Sequence, residues 1–183
     1  MKNLFHMKIR DCLTIVLMAV IAPLLGGCGN DEPTPINENA FAKFSFELTL
    51  SEAGSDQNDM ILTTIDYTTQ DGRSLTDTFG KANGTIRTIK SEDFTRAGYT
   101  GKVTITEKLL NNVQYGQNTY DLGLQLDFKV TSYGNNNKII NSLSMPYIDR
   151  GDVKSENLKR RYPNVTVFSY TVDKSGKVTI TKK

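Results

Sequence analysis

Apolar and polar residues alternate one by one over Asp121–Thr131. Leu122, Leu124, Leu126, Phe128 and Val130 are separated by Gly123, Gln125, Asp127 and Lys129. Successive side chains of a strand point to opposite faces, so a period of two predicts a strand with one buried face and one wet face. The same pattern runs through Thr166–Val172 and Lys177–Lys182, with Asp173-Lys174-Ser175-Gly176 between them. Phe168, Tyr170, Val172, Val178 and Ile180 then share one face of a hairpin whose turn chemistry fits its length. Further strands are expected over Phe41–Leu50, Met60–Thr69, Gly84–Lys90, Gly101–Leu110 and Lys138–Met145. Asp71-Gly72, Asn83-Gly84, Asn111-Asn112 and Gly134 with its three following asparagines break the chain between them.

Two short helices complete the expectation. Ser91–Gly98 offers a Ser cap, two early acids and a Gly stop, and Asp152–Pro163 offers an Asp cap, basic residues in its last turn and a Pro beyond. Neither makes a helical layer. The pattern of strand, tight turn and strand predicts antiparallel neighbours. The expected fold is an all-β antiparallel β-sandwich, immunoglobulin-like or related, of about seven to nine strands over residues 40–183. A closed barrel of the lipocalin kind is less apt, because its early Gly-x-Trp has no counterpart in a chain without tryptophan.

The amino-terminal pattern is of another kind. Lys2, Lys8 and Arg10 precede a fourteen-residue apolar run, Cys12–Leu25, broken only by Thr14 and Pro23. A membrane-spanning helix needs roughly 20 residues, so the run reads as the hydrophobic region of a secretory signal. Leu25, Gly26, Gly27 and Cys28 resemble the lipobox of bacterial lipoproteins. That resemblance implies a signal peptide over residues 1–27, cleavage before Cys28, and a diacylglyceryl group on the Cys28 thiol that makes the outer membrane a partner. Two or three buried acyl chains, at about 0.8 kcal/mol per methylene, anchor a protein durably.

Residues 28–39 contain Pro33, Pro35 and no large apolar side chain except Ile36, the composition of a polar tether. Asp31 and Glu32, three and four residues after Cys28, resemble the acidic export signal of surface lipoproteins in some Gram-negative gut anaerobes. The resemblance implies the cell surface in preference to the periplasmic face; the alternative is a merely soluble linker.

Composition narrows the chemistry. Removing residues 1–27 discards the only histidine, His6, and the only other cysteine, Cys12. A mature domain without histidine or free thiol has no Ser-His-Asp or Cys-His nucleophile, no His or Cys zinc site and no structural disulfide. No cofactor is expected. The remaining 19 basic and 19 acidic residues are scattered, which argues against nucleic acid as a partner. Carboxylate, Lys, Tyr or Ser/Thr chemistry and oxygen-ligated calcium are left.

Three local groupings carry possible function. Arg150-Gly151-Asp152 matches the tripeptide read by integrins, but Gly151 as a turn and Asp152 as a helix cap is the stronger reading. Asp56, Asn58 and Asp59 form an oxygen-rich loop that lacks the Gly and the terminal Glu of an EF-hand, so a solvated connection is favoured over calcium. Lys159, Arg160 and Arg161 suit the last turn of a helix, with contact to an anionic glycan or lipid headgroup as the alternative. No carboxylate pair stands out for glycoside hydrolysis.

The expected function is therefore a non-enzymatic, lipid-anchored binding or assembly module for a glycan or protein partner. A fimbrillin-type structural subunit that donates a strand is the first alternative, and a carboxylate-based glycoside hydrolase the second.

Overall fold

The computed structural model describes residues 37, 40–81, 84–111, 113 and 115–183, so Cys28, Asp31 and Glu32 lie outside the described residues. Asn37–Lys183 form one compact unit. Its strands are β1 (Phe41–Glu52), β2 (Ile61–Thr68), β3 (Ser74–Phe79), β4 (Ile86–Lys90), β5 (Tyr99–Leu109), β6 (Thr119–Gly134), β7 (Ile139–Lys154), β8 (Asn164–Val172) and β9 (Val178–Lys182). They make two antiparallel sheets, ordered β4-β1-β6-β7 and β3-β2-β5-β8-β9. The all-β sandwich expected from the alternation is the fold observed.

The alternation dictates the packing. Leu122, Leu124, Leu126, Phe128 and Val130 of β6 are all buried, as are Phe44, Phe46, Leu48 and Leu50 of β1 beside them. Val103 and Ile105 of β5 and Phe168, Tyr170 and Val172 of β8 face them from the other sheet. Aromatic rings dominate the middle: Phe128 stacks on Phe168 at 5.2 Å and meets Tyr170 at 5.7 Å, distances at which ring pairs add to simple burial.

The open sides of the sandwich are closed by charge. On one side Arg87 of β4 pairs with Asp77 of β3 at 2.8 Å; on the other, Lys182 of β9 lies 3.6 Å over the Tyr147 ring of β7. Inward-pointing charges at sheet edges discourage pairing with further strands. Pro146 sits on β7, an edge strand, where a missing N–H costs no ladder bond.

Two expectations are corrected and one strand is added. Ser91–Gly98 is not a helix: Phe94 is fully buried and its backbone exchanges hydrogen bonds with Phe44, N to O at 2.8 and 2.7 Å. Ser91, read as a helix cap, instead accepts the Phe46 N–H at 2.8 Å on its Oγ. Burial of one phenyl ring outweighs the weak local propensity of eight residues.

Asp152–Pro163 is likewise no continuous helix. β7 runs on to Lys154, followed by a 3-10 turn, Ser155–Asn157, and one helical turn, α2 (Leu158–Arg161). Lastly, Ser74–Phe79 forms an edge strand that was not expected, because only Phe79 of its six residues is buried.

Candidate functional site

One end of the sandwich departs from the apolar rule. Along β5 the inward register reads Val103, Ile105, Glu107, Leu109, and Glu107 is only 5 % exposed. Thr63 of β2 and Asn164 of β8 stand directly across from it. Asp149 takes the corresponding inward position on β7, opposite Leu124 of β6. Helical turn α1 (Gln57–Met60) supplies Gln57, 1 % exposed.

These side chains form a connected layer. Gln57 Nε2 donates to Glu107 Oε1 at 2.8 Å, and Gln57 Oε1 accepts the Gly123 N–H at 3.0 Å, joining the two sheets. Asn164 Nδ2 donates to Glu107 Oε2 at 3.0 Å and to Asp149 Oδ2 at 3.4 Å. Asp149 Oδ1 in turn accepts from Arg161 Nη2 at 2.7 Å. A buried carboxylate is tolerated when its oxygens are satisfied in this way.

The layer divides the core. Below it lies the large cluster of Phe44, Phe128, Phe168 and their neighbours; above it a smaller one contains Met60, Ile61, Tyr120, Leu122, Val153, Leu158 and Tyr162. Burial pushes the Glu107 carboxyl above its ordinary value, against the opposing pull of the Gln57 and Asn164 amides, and the Asp149 charge adds to the rise. Burial and the negative charge of Glu107 likewise raise the Tyr162 phenol to about 12, so it stays a neutral hydroxyl at physiological pH.

Outside the layer a concavity of about 460 Å3 opens between the end of β7 and α2, lined by Asp152, Val153, Lys154, Asn157, Arg160 and Arg161. Arg161 is shared between the two features: Asp149 holds its Nη2, and its Nε is enclosed without an acceptor among the described residues. Lys154 and Arg160 are exposed and form no ion pair with a described residue. Two other depressions, of about 250 and 160 Å3, border Lys90 and Ser91. Glu107 lines none of the three.

The sequence-derived candidates are distributed as follows. Arg150-Gly151-Asp152 is neither a loop tip nor a helix cap: it lies within β7, and Arg150 grips Asp121 of β6 in bidentate fashion at 3.2 and 3.0 Å. A paired guanidinium on a strand face does not offer the splayed geometry of an adhesive tripeptide. The loop before β2 is no solvated connection either, because Gln57 and Asn58 are buried.

Its three oxygen donors diverge. Asp56 Oδ2 accepts the Asp121 N–H at 2.8 Å, Asp59 pairs with Lys81 at 2.7 Å, and Asn58 Nδ2 donates to Glu52 at 3.0 Å. No group of His, Cys, Asp and Glu suited to a metal ion occurs among the described residues. Of the basic cluster, Arg160 and Arg161 line the concavity and Lys159 does not.

Sequence reasoning missed Glu107, Gln57, Asn164 and Asp149 as a unit. The available signal was a charged residue in the inward register of a strand otherwise read correctly. Its partners come from three other segments, which alternation does not connect. The chain matches no protein-family model, no curated protein and no solved structure.

Proposed function

We propose that this protein is a lipoprotein anchored to the outer membrane through lipidated Cys28, with its β-sandwich serving as a non-enzymatic binding module for a glycan or protein. The observation that carries the reading is the commitment of the Glu107–Asp149 pair. The two carboxylates share the Asn164 amide as a donor and Glu107 is shielded from water, an arrangement of the kind a hydrolase would need. Yet both Glu107 oxygens are taken by amide donors from Gln57 and Asn164, and Asp149 is taken by Arg161. A general acid or nucleophile must face substrate within hydrogen-bond reach; these carboxylates face structural partners. Lys154 and Arg160, which form no ion pair with a described residue, lie next door on an open concavity.

The test is turnover. Full-length protein extracted from membranes in detergent is offered a panel of chromogenic glycosides and esters, alongside a Glu107→Gln variant. No turnover above buffer is expected from either. Hydrolysis by the wild type that the variant loses would make the domain a hydrolase. SDS-resistant ladders from cells would instead favour a fibre subunit, a reading that gains nothing from β1, which is paired along both edges.

Location is tested on intact cells. Digestion of the domain by added protease, with a periplasmic marker spared and a Cys28→Ser variant released from the membrane, is the result expected of a surface lipoprotein carrying Asp31 and Glu32 after its anchor. Protection until the outer membrane is broken would put the domain on the periplasmic face.

A further inference from the structure

We infer that the concavity between β7 and α2 is a binding site for an acidic polysaccharide, one whose sugars carry carboxylate or sulfate groups. The inference rests on the binding-module reading and specifies its ligand. Three cations converge there from two elements: Lys154 from the strand end, Arg160 and Arg161 from the helical turn. Lys154 and Arg160 form no ion pair with a described residue, while Arg161 is fixed by Asp149 and lies 5.9 Å over the Tyr162 ring. A guanidinium held in place loses less freedom on taking up an oxyanion than a mobile one. Asp152 is the single acidic member of the lining. It repels an anion from its own wall and directs it towards Lys154 and Arg160.

Three observations choose the ligand class. A protein partner needs apolar anchors at the centre of its contact, and the only apolar residue in the lining, Val153, is 5 % exposed. Nucleic acid needs a longer basic track than three cations and an acid supply. Membrane lipid is disfavoured by position. The chain enters the domain at Phe41, which pairs with Gly134 at one end of β6, whereas Lys154 pairs with Thr119 at the other end. Fifteen strand steps at about 3.3 Å along β6 place the concavity about 50 Å from Phe41, where β1 begins. The Asn157 amide can hydrogen-bond sugar hydroxyls alongside the charged contacts.

The experiment uses full-length protein in detergent, captured on a surface and titrated with polygalacturonate, dextran sulfate, uncharged dextran and glycerol phosphate, the soluble headgroup of phosphatidylglycerol. Binding of at least one acidic polymer, no binding of dextran, and weakening as salt rises from low to high are expected. A Lys154→Gln/Arg160→Gln double variant should bind about tenfold more weakly, the product of two exposed contacts of a few-fold each. Lys102→Gln/Lys174→Gln lowers net charge equally on exposed sites elsewhere and should bind as the wild type does. Circular dichroism establishes that both variants are folded.

Equal weakening by both double variants would show diffuse charge attraction and overturn the site. Glycerol phosphate bound by the wild type in preference to every acidic polymer, and lost in the Lys154/Arg160 variant, would transfer the site to lipid headgroups and overturn the glycan assignment. Failure of every acidic polymer, with the turnover panel still silent, would refute the site and leave the binding-module reading standing; turnover would remove that reading instead.

Discussion

Removing the carboxylate of Glu107 tests the polar layer directly. In Glu107→Leu, Gln57 Nε2 loses the acceptor it reaches at 2.8 Å while remaining 1 % exposed. An orphaned buried donor costs about 1–3 kcal/mol. Asn164 Nδ2 loses its 3.0 Å acceptor but retains Asp149, so its share is smaller. The new Leu side chain joins the two apolar clusters and returns about 1–2 kcal/mol, leaving a net loss of about 1–2 kcal/mol.

Gln57→Leu removes the same bond from the other side and also orphans the Gly123 N–H, for a loss of about 3 kcal/mol. The double variant carries no unmet pair between positions 57 and 107, so its loss should fall short of the sum by about 1.5–3 kcal/mol, the worth of a hydrogen bond to a charged group. Urea unfolding followed by far-UV circular dichroism, with tyrosine fluorescence as second probe in a chain without tryptophan, measures all four corners. Additive losses, or a Glu107→Leu protein more stable than the wild type, would refute the layer as a satisfied network; replacement of buried charge by hydrocarbon is known to stabilise where satisfaction is poor.

Three further outcomes follow from the same structure. Because burial raises the Glu107 carboxyl, the folded state holds its proton more tightly than the unfolded chain. The stability difference between wild type and Glu107→Gln is therefore greatest below the unfolded value of about 4.3, and falls as pH rises through the higher folded value; urea midpoints measured from pH 3 to 8 check it, and a rising difference sinks it. Gly54→Ala puts a Cβ 2.4 Å from the Asp121 carbonyl oxygen and 2.6 Å from the Leu122 carbonyl carbon, backbone atoms that cannot yield, so a loss of about 3 kcal/mol or failure to fold is expected. Gly116→Ala, with nothing within 4 Å, should change midpoints within error. Phe94→Ala removes a fully buried ring stacked 4.7 Å from Phe44 and should cost about 3–5 kcal/mol in a urea titration; a loss under 1 kcal/mol would restore Ser91–Gly98 as a surface helix.

The two sheets were legible wherever one face is dry and the other wet. β6, β8 and β9 carry that contrast residue by residue, and their limits were read to within a few positions. β7 was read only to Met145, because an edge strand leaves Ile139, Leu143 and Ile148 exposed and shows no clean alternation beyond. Ser91–Gly98 failed for the opposite reason: its capping signals are local, and the contact that decides its conformation is with Phe44, fifty residues away.

The polar layer was invisible as a unit because its members, Gln57, Glu107, Asp149 and Asn164, meet only after β2, β5, β7 and β8 have taken their register. Lys154 belongs to the concavity by the same route, since nothing in the sequence says that β7 reaches as far as α2 before the chain turns.

The hydrogen-bonded layer across the sandwich also acts as a thermodynamic seam. Among the described residues, seven buried apolar side chains lie on its distal side and nineteen on the proximal side, so the distal cap has far less hydrocarbon resisting a local opening. Sub-global opening follows such boundaries. The amides of Tyr120 and Val153 then exchange with solvent before those of Phe46 and Phe128, and the end bearing Lys154 and Arg160 can breathe while the aromatic centre stays closed.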